Sequence, residues 1–98
     1  MLMLTLSVQT GTLYATLKGK LTEKEVRDFH FYFKPYMQSK EVKEVICNCK
    51  GLRKMDYLGR LAMLKLKLEL KSEKKGLSLS EVSNELRKKF IGYRMRIL

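Results

Sequence analysis

The chain has 98 residues, 45% of them apolar, with 21 Lys or Arg against 10 Asp or Glu and a net charge of +11. That length holds one compact domain, residues 1–98, with a real hydrophobic core, and the composition excludes a disordered polar chain. No apolar run approaches the ~18 residues of a membrane helix, and "MLMLTLSV" lacks the basic start and the cleavage site of a signal peptide. The charge is uneven. Residues 1–49 carry seven Lys or Arg and five Asp or Glu (+2), and residues 50–98 carry fourteen and five (+9). Such a field favours an anionic partner, although the positive charges are scattered, as on a surface solvated by Lys and Glu.

Leu4, Leu6 and Val8 alternate with Thr5 and Ser7, the pattern of a half-buried strand. Gly11 in "QTGT" supplies the positive φ of a tight hairpin turn. Leu13, Ala15 and Leu17 then form the inward row of a second strand. "LTEKEV" is a helix start: Thr22 and Glu25 make a capping box, and Leu21 and Val26 a hydrophobic staple. Val26, Phe29, His30, Phe33 and Met37 share one helical face, which leaves Phe31 and Tyr32 as aromatic surface. Pro35 predicts a kink or an end to this helix. "EVICNC" is a short buried strand. Cys47 and Cys49 in it point the same way and cannot easily bridge, so no disulfide framework is expected and the expected compartment is the cytoplasm.

The run "RLAMLKLKLELKSEKK" satisfies two rules at once. "LKLKLELK" alternates like a strand, but it has no β-branched residue, and Leu, Met, Ala, Lys, Arg and Glu all favour helix. It is assigned as a helix with one wide apolar face, Asp56 as N-cap and Gly76 as its stop. "LSLSEV" is a fourth strand. Ser83 caps a third helix carrying Leu86 and Phe90, Gly92 ends it, and "RMRIL" can add a short edge strand. The order β-β-α-β-α-β-α implies an α/β domain with a mixed, mostly parallel four-stranded sheet flanked by helices.

This pattern resembles the STAS domain family, which includes anti-sigma-factor antagonists and related modules on transporters. "LKGKL" (Leu17 to Leu21) is similar to the family's Leu-x-Gly-x-Leu. "VICNCKGLRKMDYLG" (Val45 to Gly59) has the spacing of its strand–loop–Asp-Ser-x-Gly segment. "LSLSEVSNELRKKF" is similar to its last strand and helix. Two departures stand out. Asn48 occupies a position where the family usually has Asp. Tyr57 and Leu58 replace the Ser or Thr that a partner kinase phosphorylates. The resemblance therefore implies a non-enzymatic docking protein without the usual phosphorylation switch. Its implied partner is an anti-sigma factor or a related kinase-like regulator, or alternatively the ATPase of a lipid-transport complex. The implied contact face is the loop "GLRKMDYLG" with the helix that follows.

The expected partner-binding residues are Arg53, Lys54, Asp56, Tyr57, Leu58, Gly59 and Arg60. Asp56 serves as cap, as contact, or as both. Tyr57 either packs on the adjacent loop or is an exposed contact of the kind enriched at binding hot spots. Arg53, Lys54 and Arg60 are solvated charges or steer an acidic partner. No catalytic residue, metal ligand set or cofactor motif is expected: the lone His30 reads as a core or boundary residue, and no Walker or G-x-G-x-x-G motif is present. Arg87, Lys88, Lys89, Arg94 and Arg96 cluster near the C-terminus. They leave a basic nucleic-acid-binding module as a third alternative, resting on charge alone, with no aromatic stacking platform or recognised motif to favour it.

Overall fold

The computed structural model describes residues 1–98. In chain order it has strands β1 (Leu2–Gln9) and β2 (Thr12–Leu21), a 3₁₀ turn (Glu23–Glu25), helix α1 (Val26–Met37) and strand β3 (Glu44–Met55). Helix α2 (Tyr57–Ser72), strand β4 (Gly76–Ser80), helix α3 (Asn84–Lys89) and strand β5 (Arg96–Ile97) follow. The five strands lie side by side in sequence order, β1 antiparallel to β2 and every later neighbour parallel. The edge strand foreseen in "RMRIL" raises the expected four strands to five.

The hairpin turns on Thr10 (φ 49°) and Gly11 (φ 81°), the two positive-φ positions of a tight two-residue turn. In β2 the inward row Leu13, Ala15, Leu17 and Leu21 is buried, and the outward row Tyr14, Thr16, Lys18 and Lys20 is exposed. The inward row packs with Val45, Cys47 and Cys49 of β3 and Leu77 and Leu79 of β4. Phe29, Phe33 and Met37 of α1, Leu66 and Leu70 of α2, and Leu86 and Phe90 close the same core. Helices thus cover one face of the sheet. Burial pushes both thiols up, that of Cys49 to about 12, so they are inert core groups.

Gly19, in "LKGKL", has φ +109°, and a Cβ there would collide with the carbonyl oxygen of Met1. That carbonyl accepts the N–H of Lys20 at 2.9 Å, so the glycine lets the chain start seat on β2. The Thr22 N–H and hydroxyl both donate to Glu25 Oε1, at 3.0 and 2.6 Å. These bonds hold the Glu25 carboxyl below its usual range, the hydroxyl's first. They close a 3₁₀ turn, and α1 begins after it at Val26. Pro35 sits in the last turn of α1, which ends two residues later.

Two elements, β3 and α2, differ from the expectation. β3 is twelve residues long and runs through Met55, so Arg53 and Lys54 stand on a strand and not in a loop. Two register shifts against β2, between Thr16 and Lys18 and between Gly19 and Lys20, hide this length by breaking the two-residue alternation. The long run is helical, but its leucines divide: Ala62, Met63, Leu66 and Leu70 are buried, while Leu68 is exposed and Leu61 and Leu64 are half-buried. Gly76 does not stop α2, because it already belongs to β4. The stop is Lys74, at φ 60°. Its N–H donates to Lys71 O at 3.0 Å, and the Lys75 N–H donates to Leu70 O at 2.8 Å, the pair of bonds of a Schellman motif.

A left-handed Lys costs more than Gly at that position. Lys74→Gly is therefore expected to stabilise the fold by about 0.5–1 kcal/mol, a rise in Tm of ~3–6 °C by thermal melting. A lower Tm would contradict this account of the helix end.

Candidate functional site

The ends of β2 and β3 meet the start of α2 at Asp56. Its backbone is extended (φ −89°, ψ −175°), as an N-cap requires. Oδ1 accepts the N–H of Gly59 at 2.8 Å, and Oδ2 accepts the N–H of Glu23 at 3.0 Å. One carboxylate therefore caps α2 and ties it to the turn that follows β2. These backbone donors, Gly59 first, hold the Asp56 carboxyl below its usual range.

Gly59 is buried on the first turn of α2. A Cβ there would collide with the Leu21 carbonyl oxygen and lie 2.9 Å from Met55 Cγ. The glycine lets the helix start rest directly on the backbone at the end of β2. Asp at the cap and Gly three residues later are thus both needed to seat this helix.

The two positions between them point outward. Tyr57 is 59% and Leu58 41% exposed. The Arg60 guanidinium lies over the Tyr57 ring, 5.4 Å from its centroid. Arg60 is half-buried, and its Nη1 donates to Lys89 O at 3.5 Å. Arg53 and Lys54 are exposed at the end of β3, and Lys54 lies in register with Lys20.

Lys89 and Glu23 belong to this site, and sequence reasoning missed both. Lys89 Nζ donates to Met55 O at 2.7 Å, which holds the last residue before Asp56. In the sequence Lys89 is one of a basic cluster, with nothing to mark its reach across 34 residues. Asn48 lies further back on β3 and accepts the Lys50 N–H on its Oδ1 at 2.9 Å, at the first register shift. His30 sits at the α1–α2 boundary, its Nδ1 3.4 Å from Glu69 Oε1.

Solved structures resemble this architecture over nearly its whole length. The anti-sigma factor antagonist SpoIIAA in its unphosphorylated form superposes with a TM-score of 0.81 at 23% identity, covering 98% of this chain and 87% of that one. The chain has a SpoIIAA-like fold. A putative anti-sigma factor antagonist from Thermotoga maritima gives a TM-score of 0.84 at 7% identity, over 96% of this chain and 84% of that one. Part of the murine anion transporter Slc26a9 gives 0.75 at 16% identity, over 85% of this chain and 14% of the transporter. No family model and no curated protein sequence matches the chain. No helix is long and apolar enough to cross a membrane.

Gly59→Ala is expected to destabilise the fold by about 2 kcal/mol or more, a fall in Tm of ~10 °C, because the obstacle is backbone. An unchanged melting curve would remove the close-approach account. Asp56 also makes a pH prediction. Its folded pKa is depressed, so its contribution is complete above the unfolded value of about 3.9 and is lost as pH falls through the folded value. Asp56→Asn keeps an acceptor for Gly59 but not the charge. It is expected to lower Tm at neutral pH and to shrink the fall in Tm between about pH 5 and pH 2. An acid transition identical to the wild type would assign that fall to other carboxyls.

Proposed function

We propose that the chain is a non-enzymatic docking module. Its partner is an anti-sigma factor or a related kinase-like regulator, bound at the face built by Arg53, Lys54, Asp56, Tyr57, Leu58, Gly59 and Arg60. The observation that carries this reading is the pair of exposed side chains, Tyr57 and Leu58, held on a helix start fixed by Asp56 and Gly59. Rigid aromatic and aliphatic groups bind at little entropic cost. The exposed Arg53 and Lys54 beside them suit a partner with an acidic rim. Asp56 has both oxygens engaged by backbone, so its part is to hold the face in shape.

In this reading no Ser or Thr hydroxyl lies at positions 56–59, so a Ser/Thr kinase has no acceptor there and the module stays competent to bind. The compartment would be the cytoplasm, where such regulators act. A second reading is that of an accessory subunit of a lipid-transport complex, docked on its ATPase. The recurrence of this fold in part of an anion transporter is consistent with a place beside transport proteins.

The experiment is calorimetric titration of the chain against the anti-sigma factor of its own cell. Leu58→Lys is expected to weaken binding about tenfold or more while leaving the fold intact. Equal affinity of the variant would sink the proposed face. Co-purification with a transporter ATPase and no anti-sigma factor would favour the second reading.

A further inference from the structure

The apolar residues of α2 lie on two opposite sides of one helix. Ala62, Met63, Leu66 and Leu70 face the sheet and are buried. Tyr57, Leu61, Leu64 and Leu68 follow one another at spacings of four, three and four residues on the side away from it. That is the spacing of a coiled-coil seam. Tyr57 is 59% and Leu68 54% exposed. Leu61, Leu64 and Leu68 line an open hollow of 390 Å³ with Lys65, Glu69 and Ser72. None of the four residues of the row belongs to the buried core or to the partly buried hydrophobic residues packed against it.

The borders of the row are basic. Arg60 and Lys67 mark the border toward α3, since Arg60 reaches Lys89 O and Lys67 Nζ reaches the carbonyls of Tyr93 and Arg94. Lys71, one turn on, extends that border. Lys65 and Glu69 lie on the other border, where Glu69 meets His30 of α1. Four cations thus flank the seam against one anion.

We propose that this outer seam docks an acidic amphipathic helix of a partner protein. Its leucines would enter between Leu61, Leu64 and Leu68, and its Glu or Asp flanks would meet the exposed Lys65 and Lys71, with Arg60 and Lys67 adding positive charge to the border. The charges disfavour a second copy of this chain, because self-pairing would set like rows of cations against each other on two bodies of net charge +11 each. A bilayer is also disfavoured. The seam is one side chain wide with two of its leucines half-buried, so it offers little area to insert. The seam shares Tyr57 and Arg60 with the face proposed above, but Leu61, Leu64 and Leu68, on which this docking rests, lie beyond that face along α2.

The test is fluorescence anisotropy with a labelled three-heptad designed helix bearing Leu at four- and three-residue spacings and Glu on both flanks. A twin with Lys flanks is the control. The Glu helix is expected to bind, more weakly at higher salt, and the Lys twin not to bind. Leu68→Glu alone and Leu64→Glu with Leu68→Glu, each checked for an unchanged circular dichroism spectrum, are expected to weaken binding about tenfold or more. Equal binding of both helices, or binding unaffected by either variant, would overturn the proposal. So would loss of binding in Leu58→Lys, which would merge the seam with the other face. A dimer in sedimentation equilibrium that Leu68→Glu disrupts would give the seam to a second copy. Leucine-dependent flotation with phosphatidylserine vesicles would give it to a membrane.

Discussion

One carboxylate sets the geometry of this molecule. Asp56 accepts from Glu23 with one oxygen and from Gly59 with the other, joining the exit of β2 to the start of α2. Parallel strands end at the same edge of a sheet, so the chain segments leaving β2 and β3 crowd there. The crowding is relieved by removing a side chain at Gly59, which lets α2 lie on the Leu21 carbonyl. Lys89 closes the same corner from the third helix by donating to Met55 O. With the helix start fixed on three sides, the orientation of Tyr57 and Leu58 follows from the fold and is not left to a mobile loop. The cost is that the acid is used internally, so recognition falls to its neighbours.

The parts of the fold legible in the sequence are those decided within a few residues. The Gly11 turn, the Thr22–Glu25 pair, the Asp56 cap and the Ser83 cap, whose hydroxyl oxygen accepts the Leu86 N–H at 3.2 Å, each need only their near neighbours. Asp56 and Gly59 were legible as a pair for the same reason. What was not legible depends on partners far along the chain. The extension of β3 to Met55 rests on irregular pairing with β2, and irregularity erases the alternation by which a strand is recognised. The Glu23 and Lys89 contacts span 33 and 34 residues. The stop of α2 was misplaced because Gly76 has the better propensity, yet Lys74 takes the left-handed position. The ammonium of Lys75 then donates to the carbonyls of Tyr36 and Ser39, at 3.2 and 2.6 Å, and secures that turn.

The same contacts change the meaning of the net charge. Lys67, Lys75 and Lys89 each place an ammonium on backbone carbonyls of another segment. Carbonyls at helix ends and in irregular turns lack partners of their own, and a long flexible cation satisfies them from a distance. Part of the basic surplus in the second half of the chain is therefore internal scaffolding. These ammoniums keep their charge and still add to the field, but their donor heads are committed within the fold. The cations left at the surface near the two proposed faces, Arg53 and Lys54 on β3 and Lys65 and Lys71 on α2, are the ones free to select a partner by charge.

The leucines of α2 separate folding from recognition in a similar way. A helix resting on a sheet needs one apolar stripe. Leu66 and Leu70, with Met63 and Ala62, supply it. The alternation "LKLKLELK" places Leu64 and Leu68 about half a turn away from that stripe, where they add little to the core and carry the liability of exposed apolar surface. Lysines between those leucines limit self-association through like-charge repulsion while leaving the row open to a body of opposite sign. The core does not require an apolar residue at either position. In the proposed docking this second row is what the partner helix covers.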